Sequence, residues 1–305
     1  RVLFRSKAQT RRVDSADNTC HMEWRASDDR VAQGRRRPIV FLAIDVGNTN
    51  VHIGLAPDLT RPWLRTFRFS SAQDRTADEW HALLDVHFEA LDCDDCQVVM
   101  CSVVPAITRS LTEFLSERFG DPPVIVSVRL PLGIDVATDQ PHETGTDRIT
   151  NAVAVDALYG RPAIIVDFGT ATKVDALDRD GRFLGGAIAT GLSLRMDALA
   201  SRAARLYAVP IEIPERAIGS NTTAAIQAGV VLGHLKMVEG LVEMARQELG
   251  GCDTVVLTGG NGRLFANESA LGPYEPNLTL EGLRVIATRH LEGGAGASHQ
   301  AAGGR

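Results

Sequence analysis

Short β-branched apolar runs alternate with longer stretches of helical periodicity along most of the chain. PIVFLAIDV, VHIGLA, CQVVMCSVV, PVIVSV, RPAIIVDFG, KVDALD, FLGGAIA and DTVVLTGG have the length and composition of strands. Apolar positions recur at helical spacing in ADEWHALLDVHFEAL, AITRSLTEFLSERF, DRITNAVAVDALYG, LSLRMDALASRAARL, TLEGLRVIATRHL and the long run from Asn221 to Leu249. DRDGR between two strand-like runs predicts a hairpin over residues 173–189. Strands mixed with helices on this scale predict an α/β protein.

The pattern repeats itself. AIDVGNTNVHIGLA and IIVDFGTATKVDAL each run from an apolar strand into Asp-x-Gly-Asn or Asp-x-Gly-Thr and back into a strand. They lie about one domain length apart. This predicts two halves, residues 38–155 and 156–292. The Gly/Ala-rich end, 293–305, reads as a flexible tail.

Composition changes this picture at one place. Residues 1–37 hold ten Lys/Arg against five Asp/Glu and almost no apolar periodicity. They are expected to be a disordered or non-native extension. With a net charge of −6 overall, nucleic acid is not the expected partner. No uninterrupted apolar run approaches the ~20 residues of a membrane span, so no membrane is expected either. Cys93 and Cys96 form a single CxxC with no second pair to complete a zinc site, and the five cysteines read as reduced, in keeping with a cytoplasmic protein.

A carboxylate at the end of a buried strand, followed by small hydrogen-bonding residues, suits phosphate held through a cation. In DVGNTN, Gly47 permits a tight turn, Asn48 and Thr49 offer side-chain hydrogen bonds, and the backbone can form an anion nest. Asp45 would repel phosphate unless Mg²⁺ lies between them. The same elements return as Asp167, Gly169, Thr170 and Thr172. LTGGNG adds a third Gly-rich strand end, where Gly259 and Gly260 would let a flat ring approach the backbone. In GTDR, just before a predicted helix, Asp147 could take a proton from a hydroxyl and Arg148 could bind a carboxylate; a capped helix start is the plainer alternative.

The order of these loops resembles the actin and hexokinase ATPase superfamily, and the ordered set is more specific. DVGNTNVHIGL, SVVP, ETGTDRITNAVA, VDFGTATKVDA, GGAIATGL, IGSNTTAAIQAG, VVLTGG and PNLTLEGL resemble the motifs of type III pantothenate kinases across residues 39–292. The resemblance implies two related actin-like, ribonuclease H-like ATPase domains. It implies transfer of the ATP γ-phosphoryl group to pantothenate, giving 4′-phosphopantothenate on the way to coenzyme A. ATP would be held by Asp45, Val46, Gly47, Asn48, Thr49, Asn50, Val51 and His52 of the first loop and by Thr170 of the second. Pantothenate would contact Thr138, Gly145, Thr146, Asp147 and Arg148, with Asp147 as the base. A monovalent cation, K⁺ or NH₄⁺, would bind at Asp167. Thr222 would come from the partner subunit of a homodimer.

Three positions depart from the family pattern. Lys173 stands where a second Thr is usual, Thr138 where a Tyr is frequent, and Thr190 where Pro is common. Lys173 could point away from the cleft, neutralise phosphate, or replace the monovalent cation. A nucleotide-binding regulatory relative without turnover is the rival reading; a sugar kinase or polyphosphate phosphatase is disfavoured by the GTDR and SNTT segments.

Overall fold

The computed structural model describes residues 40–88, 96–202, 209–266 and 271–302. Residues 1–37, Cys20 and Cys93 lie outside them. Two five-stranded mixed sheets form the frame. The first contains β1 (Val40–Val46), β2 (Asn50–Ala56), β3 (Arg65–Ser70), β4 (Cys96–Ser102) and β5 (Val124–Ile125), in the order β3-β2-β1-β4-β5. The second contains β6 (Asp135–Val136), β7 (Ala163–Phe168), β8 (Ala171–Leu177), β9 (Arg182–Thr190) and β10 (Thr254–Thr258), in the order β10-β7-β8-β9-β6.

The repeat seen in the sequence is a repeat of topology. In each sheet a three-strand antiparallel meander, β1-β2-β3 or β7-β8-β9, is followed by a strand that returns parallel to the meander's first strand, β4 or β10. This is the duplicated ribonuclease H-like arrangement of actin-like ATPases. Strand β3, RTFRFS, carries no strong apolar run because it is a mostly exposed edge strand. The two-residue strand β6 is too short to leave a pattern.

Helices lie between and outside the sheets. Helices α1 (Ala77–Phe88) and α2 (Pro105–Phe119) cover the outer face of the first sheet. Helices α4 (Leu192–Arg202), α5 (Thr222–Gln227), α6 (Gly233–Glu248) and α7 (Gly262–Phe265) lie on the outer side of the second. Between α5 and α6 the helix passes through a π turn, Ala228–Leu232. The whole run Thr222–Glu248 is long and apolar enough to cross a membrane by composition; Leu235, Val238 and Val242 account for much of that character by packing in the core. Helices α3 (Thr146–Tyr159) and α8 (Leu278–Ala302) pack together and fill the space between the sheets. Helix α8 continues through Ala302, so residues 293–302 are helical even though Gly293, Gly294 and Gly296 disfavour a helix there.

Alternation on the inner strands sets the site. Both faces of β1 are buried, so its side chains divide between two cores. Leu42, Ile44 and Val46 join the outer core, while Phe41 and Ala43 join the central one. Asp45 continues the central series. On β7, Ala163 and Ile165 face the centre and Ile164, Val166 and Phe168 face outward, which places Asp167 at the centre as well. Both carboxylates therefore project into the layer between the sheets, at the carboxyl ends of their strands.

Close approach of strands fixes one glycine. Gly186 on β9 pairs with Asp175 on β8, and a Cβ there would lie 2.0 Å from the Val174 carbonyl oxygen. The variant Gly186→Ala is expected to lose about 1–3 kcal/mol of stability through overpacking, read as a lower midpoint in urea denaturation.

Candidate active site

The N-terminus of α3 is held from both sides. Gly145 is its N-cap, and a Cβ there would lie 2.6 Å from Asp147 Oδ1, so the glycine lets the carboxylate fold back over the helix start. Asp147 Oδ1 accepts the Arg148 backbone N–H at 2.9 Å. Thr146 ties this turn to the end of β4: its hydroxyl donates to the Ser102 carbonyl at 3.0 Å and accepts the Ser102 N–H at 3.2 Å.

The other side of the turn is held by β8. Asp167 and Lys173 are directly opposite in the β7–β8 ladder, and opposite residues share a face. The Lys173 ammonium donates to Asp167 Oδ2 at 2.8 Å and to Asp147 Oδ2 at 2.6 Å. Two residues along the same face, Asp175 receives Arg148: Nε lies 3.0 and 3.2 Å from its two oxygens, and Nη2 also contacts Oδ1. Thr172 points the opposite way, into the outer core, and its hydroxyl meets His234 Nε2 at 3.0 Å. The strand period thus settles the orientation of Lys173: it faces the cleft.

The two phosphate-type loops meet. Thr49 Oγ1 and Thr170 Oγ1 are 2.6 Å apart. The first loop is braced from behind, where Gly47 N–H bonds the Asn50 carbonyl at 3.0 Å and Ser71 Oγ donates to the Gly47 carbonyl at 2.6 Å. Asn48, Thr49 and Asn50 are exposed at its tip. The side chains of Val46 and Val51 are buried in the outer core, so these residues can reach a ligand only through their backbone. His52 is opposite Asp45 in the β1–β2 ladder and buried; burial, aided by Arg68, lowers its pKa to about 3 and keeps it neutral.

Other expected residues occupy different surroundings. Thr138 Oγ1 pairs with Thr144 Oγ1 at 2.8 Å, at the entrance to the GTDR turn. Thr222 is exposed at the start of α5, whose cap is Asn221, and no hydrogen bond or ion pair among the described residues links it to Asp147. Gly259 makes room for protein atoms: a Cβ there would lie 2.4 Å from Asp167 Oδ1. Gly260 has open space around its Cβ position. Asp175, Cys101 and His234 were not singled out from the sequence. For Asp175 the signal was available, since a carboxylate two residues after Lys173 on the same buried strand must also find a partner.

The chain is similar in sequence to known proteins. The family model for type III pantothenate kinases matches residues 41–244. A type III pantothenate kinase from Moorella thermoacetica is 43% identical over 257 residues, covering 82% of this chain and 100% of that protein. One from Thermobifida fusca is 41% identical over 261 residues, covering 82% and 100%. The chain belongs to the type III pantothenate kinase family. It is therefore a kinase whose family phosphorylates pantothenate with ATP in coenzyme A biosynthesis. Among solved structures, one described as a conserved Baf family transcriptional activator from Campylobacter jejuni is similar, with a TM-score of 0.54 at 19% identity over 82% of this chain and 99% of that one. That likeness shows the fold alone.

Electrostatics divide the carboxylates of this pantothenate kinase into two kinds. Asp147 and Asp167 share the Lys173 ammonium. Burial raises the pKa of Asp167, and Lys173 opposes that rise. Burial likewise raises Asp175 to about 6 against the pull of Arg148. Among the described residues, the hydrogen-bond donor to Asp45 is the Cys101 thiol, 3.4 Å from Oδ1. Burial, then the charge of Asp147, lifts its pKa to about 7.

A largely buried carboxylate with no direct ion pair among the described residues is a place where a cation fits, and Asp45 meets that description. Three or more His, Cys, Asp or Glu side chains do not gather as a metal-ligand set among the described residues. Mg²⁺ arriving with ATP needs only one or two carboxylates alongside phosphate. Because the folded pKa of Asp45 lies above its unfolded value of 3.8, the folded state binds the extra proton. Stability is lost as pH rises from about 4 to about 7 and is level above that. Asp45→Asn is expected to stabilise the ligand-free kinase by about 2–4 kcal/mol at pH 8 and by little at pH 4, measured by denaturation across that range.

Proposed function

We propose that this chain carries out its family's reaction with Asp147 as the general base toward the pantothenate hydroxyl. The observation that carries the reading is the placement of Asp147 at the junction of both sheets, beside both loop ends and fixed through each of its oxygens. A carboxylate has about four acceptor sites, so each oxygen keeps one for an incoming hydroxyl after these bonds are made. Phosphoryl transfer needs an aligned nucleophile and neutralised charge more than covalent assistance.

The first loop, Asp45 to His52, and Thr170 of the second take the ATP phosphates in this reading. Asp45 is the carboxylate that would hold Mg²⁺, which would supply charge neutralisation at the phosphates. Gly145, Thr146 and Arg148 line the pantothenate side, with Thr138 at its entrance. Asp175 occupies the Nε and Nη2 groups of Arg148, which leaves Nη1 as the part offered to substrate. A monovalent cation at Asp167 does not fit the residues present, because Lys173 already engages that carboxylate.

A homodimer belongs to the same reading. Leu184 and Ile188 of β9, with Leu194 and Ile218, are exposed apolar side chains that a subunit contact would cover. Thr222, remote from Asp147 in hydrogen bonding, would complete the partner's pocket. A cytoplasmic location is part of the proposal.

The test is an ATP-dependent assay with pantothenate as acceptor. The kinase is expected to form phosphopantothenate, and Asp147→Asn to lower kcat by about 10²–10⁴-fold with nucleotide binding retained. Unchanged turnover in that variant would remove Asp147 from its role. Nucleotide binding without turnover in the unaltered chain would favour a regulatory relative.

A further inference from the structure

We propose that Lys173 is the resident cation of this active site: its tethered ammonium stands between Asp167 and Asp147 where a monovalent ion would otherwise bind, and phosphoryl transfer by this kinase does not depend on K⁺ or NH₄⁺. The proposal rests on Asp147 being the base.

Several features converge on it. Two carboxylates that converge in a poorly hydrated layer repel each other and require a cation between them. The side chains of Asp147, Asp167 and Lys173 are only 18%, 14% and 16% exposed, so dissolved salt screens them weakly. Lys173 supplies a compact point charge of the same chemistry as an ammonium ion, with three N–H donors, two of which are spent on these carboxylates. Burial opposes its charge, and Asp167 and Asp147 more than reverse that effect, so its pKa stays above the ordinary lysine value. It is a fixed cation at any working pH.

Both oxygens of Asp167 have close protein neighbours. Its Oδ1 lies against Gly259 and Gly169, at 2.4 and 3.3 Å from where their Cβ atoms would be, and its Oδ2 holds Lys173. The register dictates this. In a hairpin where Asp167 pairs with Lys173, a Thr at 173 would place a short hydroxyl on the same face and open room for an ion; a Lys fills that room with its own charge. Arg148 and Asp175 tie the same turn to the same strand independently. Removing the lysine therefore takes away a charge without freeing the helix start.

Lys173 acts here as a positioning residue, through the carboxylate of Asp147. The experiment compares the full chain with Lys173→Thr in buffers free of K⁺ and NH₄⁺, with tetramethylammonium chloride holding ionic strength constant while KCl is raised. Two readouts are taken: pantothenate-dependent turnover, and the thermal unfolding midpoint of the ligand-free protein. The unaltered chain is expected to change turnover by less than about 2-fold across the titration. Lys173→Thr is expected to lose about 10-fold or more in kcat without K⁺ and to recover with a saturable K⁺ dependence. Its unfolding midpoint is expected to rise with K⁺, while that of the unaltered chain stays level, since only a protein with an ion site is stabilised by the ion.

Steep activation of the unaltered chain by K⁺, or a K⁺-specific rise in its midpoint, would overturn the proposal. So would full activity of Lys173→Thr without K⁺. If the variant does not fold, the two titrations of the unaltered chain still decide. Absence of turnover in the unaltered chain at every K⁺ concentration would count against the functional reading, and the unfolding titrations would still decide the role of the lysine.

Discussion

Strands β1 and β7 are buried on both faces, and every side chain on them must belong to one core or the other. That constraint places Asp45 and Asp167 in the layer between the sheets, where water reaches their charge poorly. Protein or ligand has to supply the compensation. Asp167 receives it from Lys173 within the chain, and Asp45 is met by a thiol among the described residues. The difference divides the site into a half whose carboxylates are ion-paired within the chain and a half, at Asp45, where the proposed Mg²⁺ would add its charge.

The helix start at Gly145–Arg148 gains its position from the same constraint. It is attached to β4 through Thr146, to β8 through Arg148 and Asp175, and to β7 and β8 together through Lys173. Strands from both sheets meet at one turn of one helix. The proposed base, Asp147, is therefore set by the relative position of the two sheets and not by a loop of its own. Gly145 and Gly259 complete the packing by leaving out side chains where carboxylate oxygens need the space.

Much of this was legible in the sequence, for reasons that can be named. Asp45 and Asp167 stood out because a charge ending a doubly buried strand conflicts with its surroundings and is followed by turn residues. Seven of the longer strands stood out because both faces, or one, were apolar; β3 did not, because RTFRFS is a mostly exposed edge strand, and PVIVSV supplies only the two-residue β5. The orientation of Lys173 needed one further step, the register of a hairpin whose turn is Gly169–Thr170. Side chains of Asp167 and Lys173 share a face only in that register. Asp175 escaped notice because its partner, Arg148, lies on a different element, and pairing between elements leaves no periodic trace. Cys101 and His234 are of the same kind: each meets its partner across strands or between a strand and a helix.

The contact between Thr49 and Thr170 has a consequence for how the nucleotide enters. Without a ligand the two loops close on each other through one neutral hydroxyl pair, a bond whose net worth is about 1 kcal/mol. A phosphate oxygen arriving between them would accept from both hydroxyls, and hydrogen bonds to a charged acceptor are roughly twice as strong. Opening the hydroxyl pair to such a phosphate would exchange one weak neutral bond for two stronger ones, so the pair would act as a weak latch between the loops.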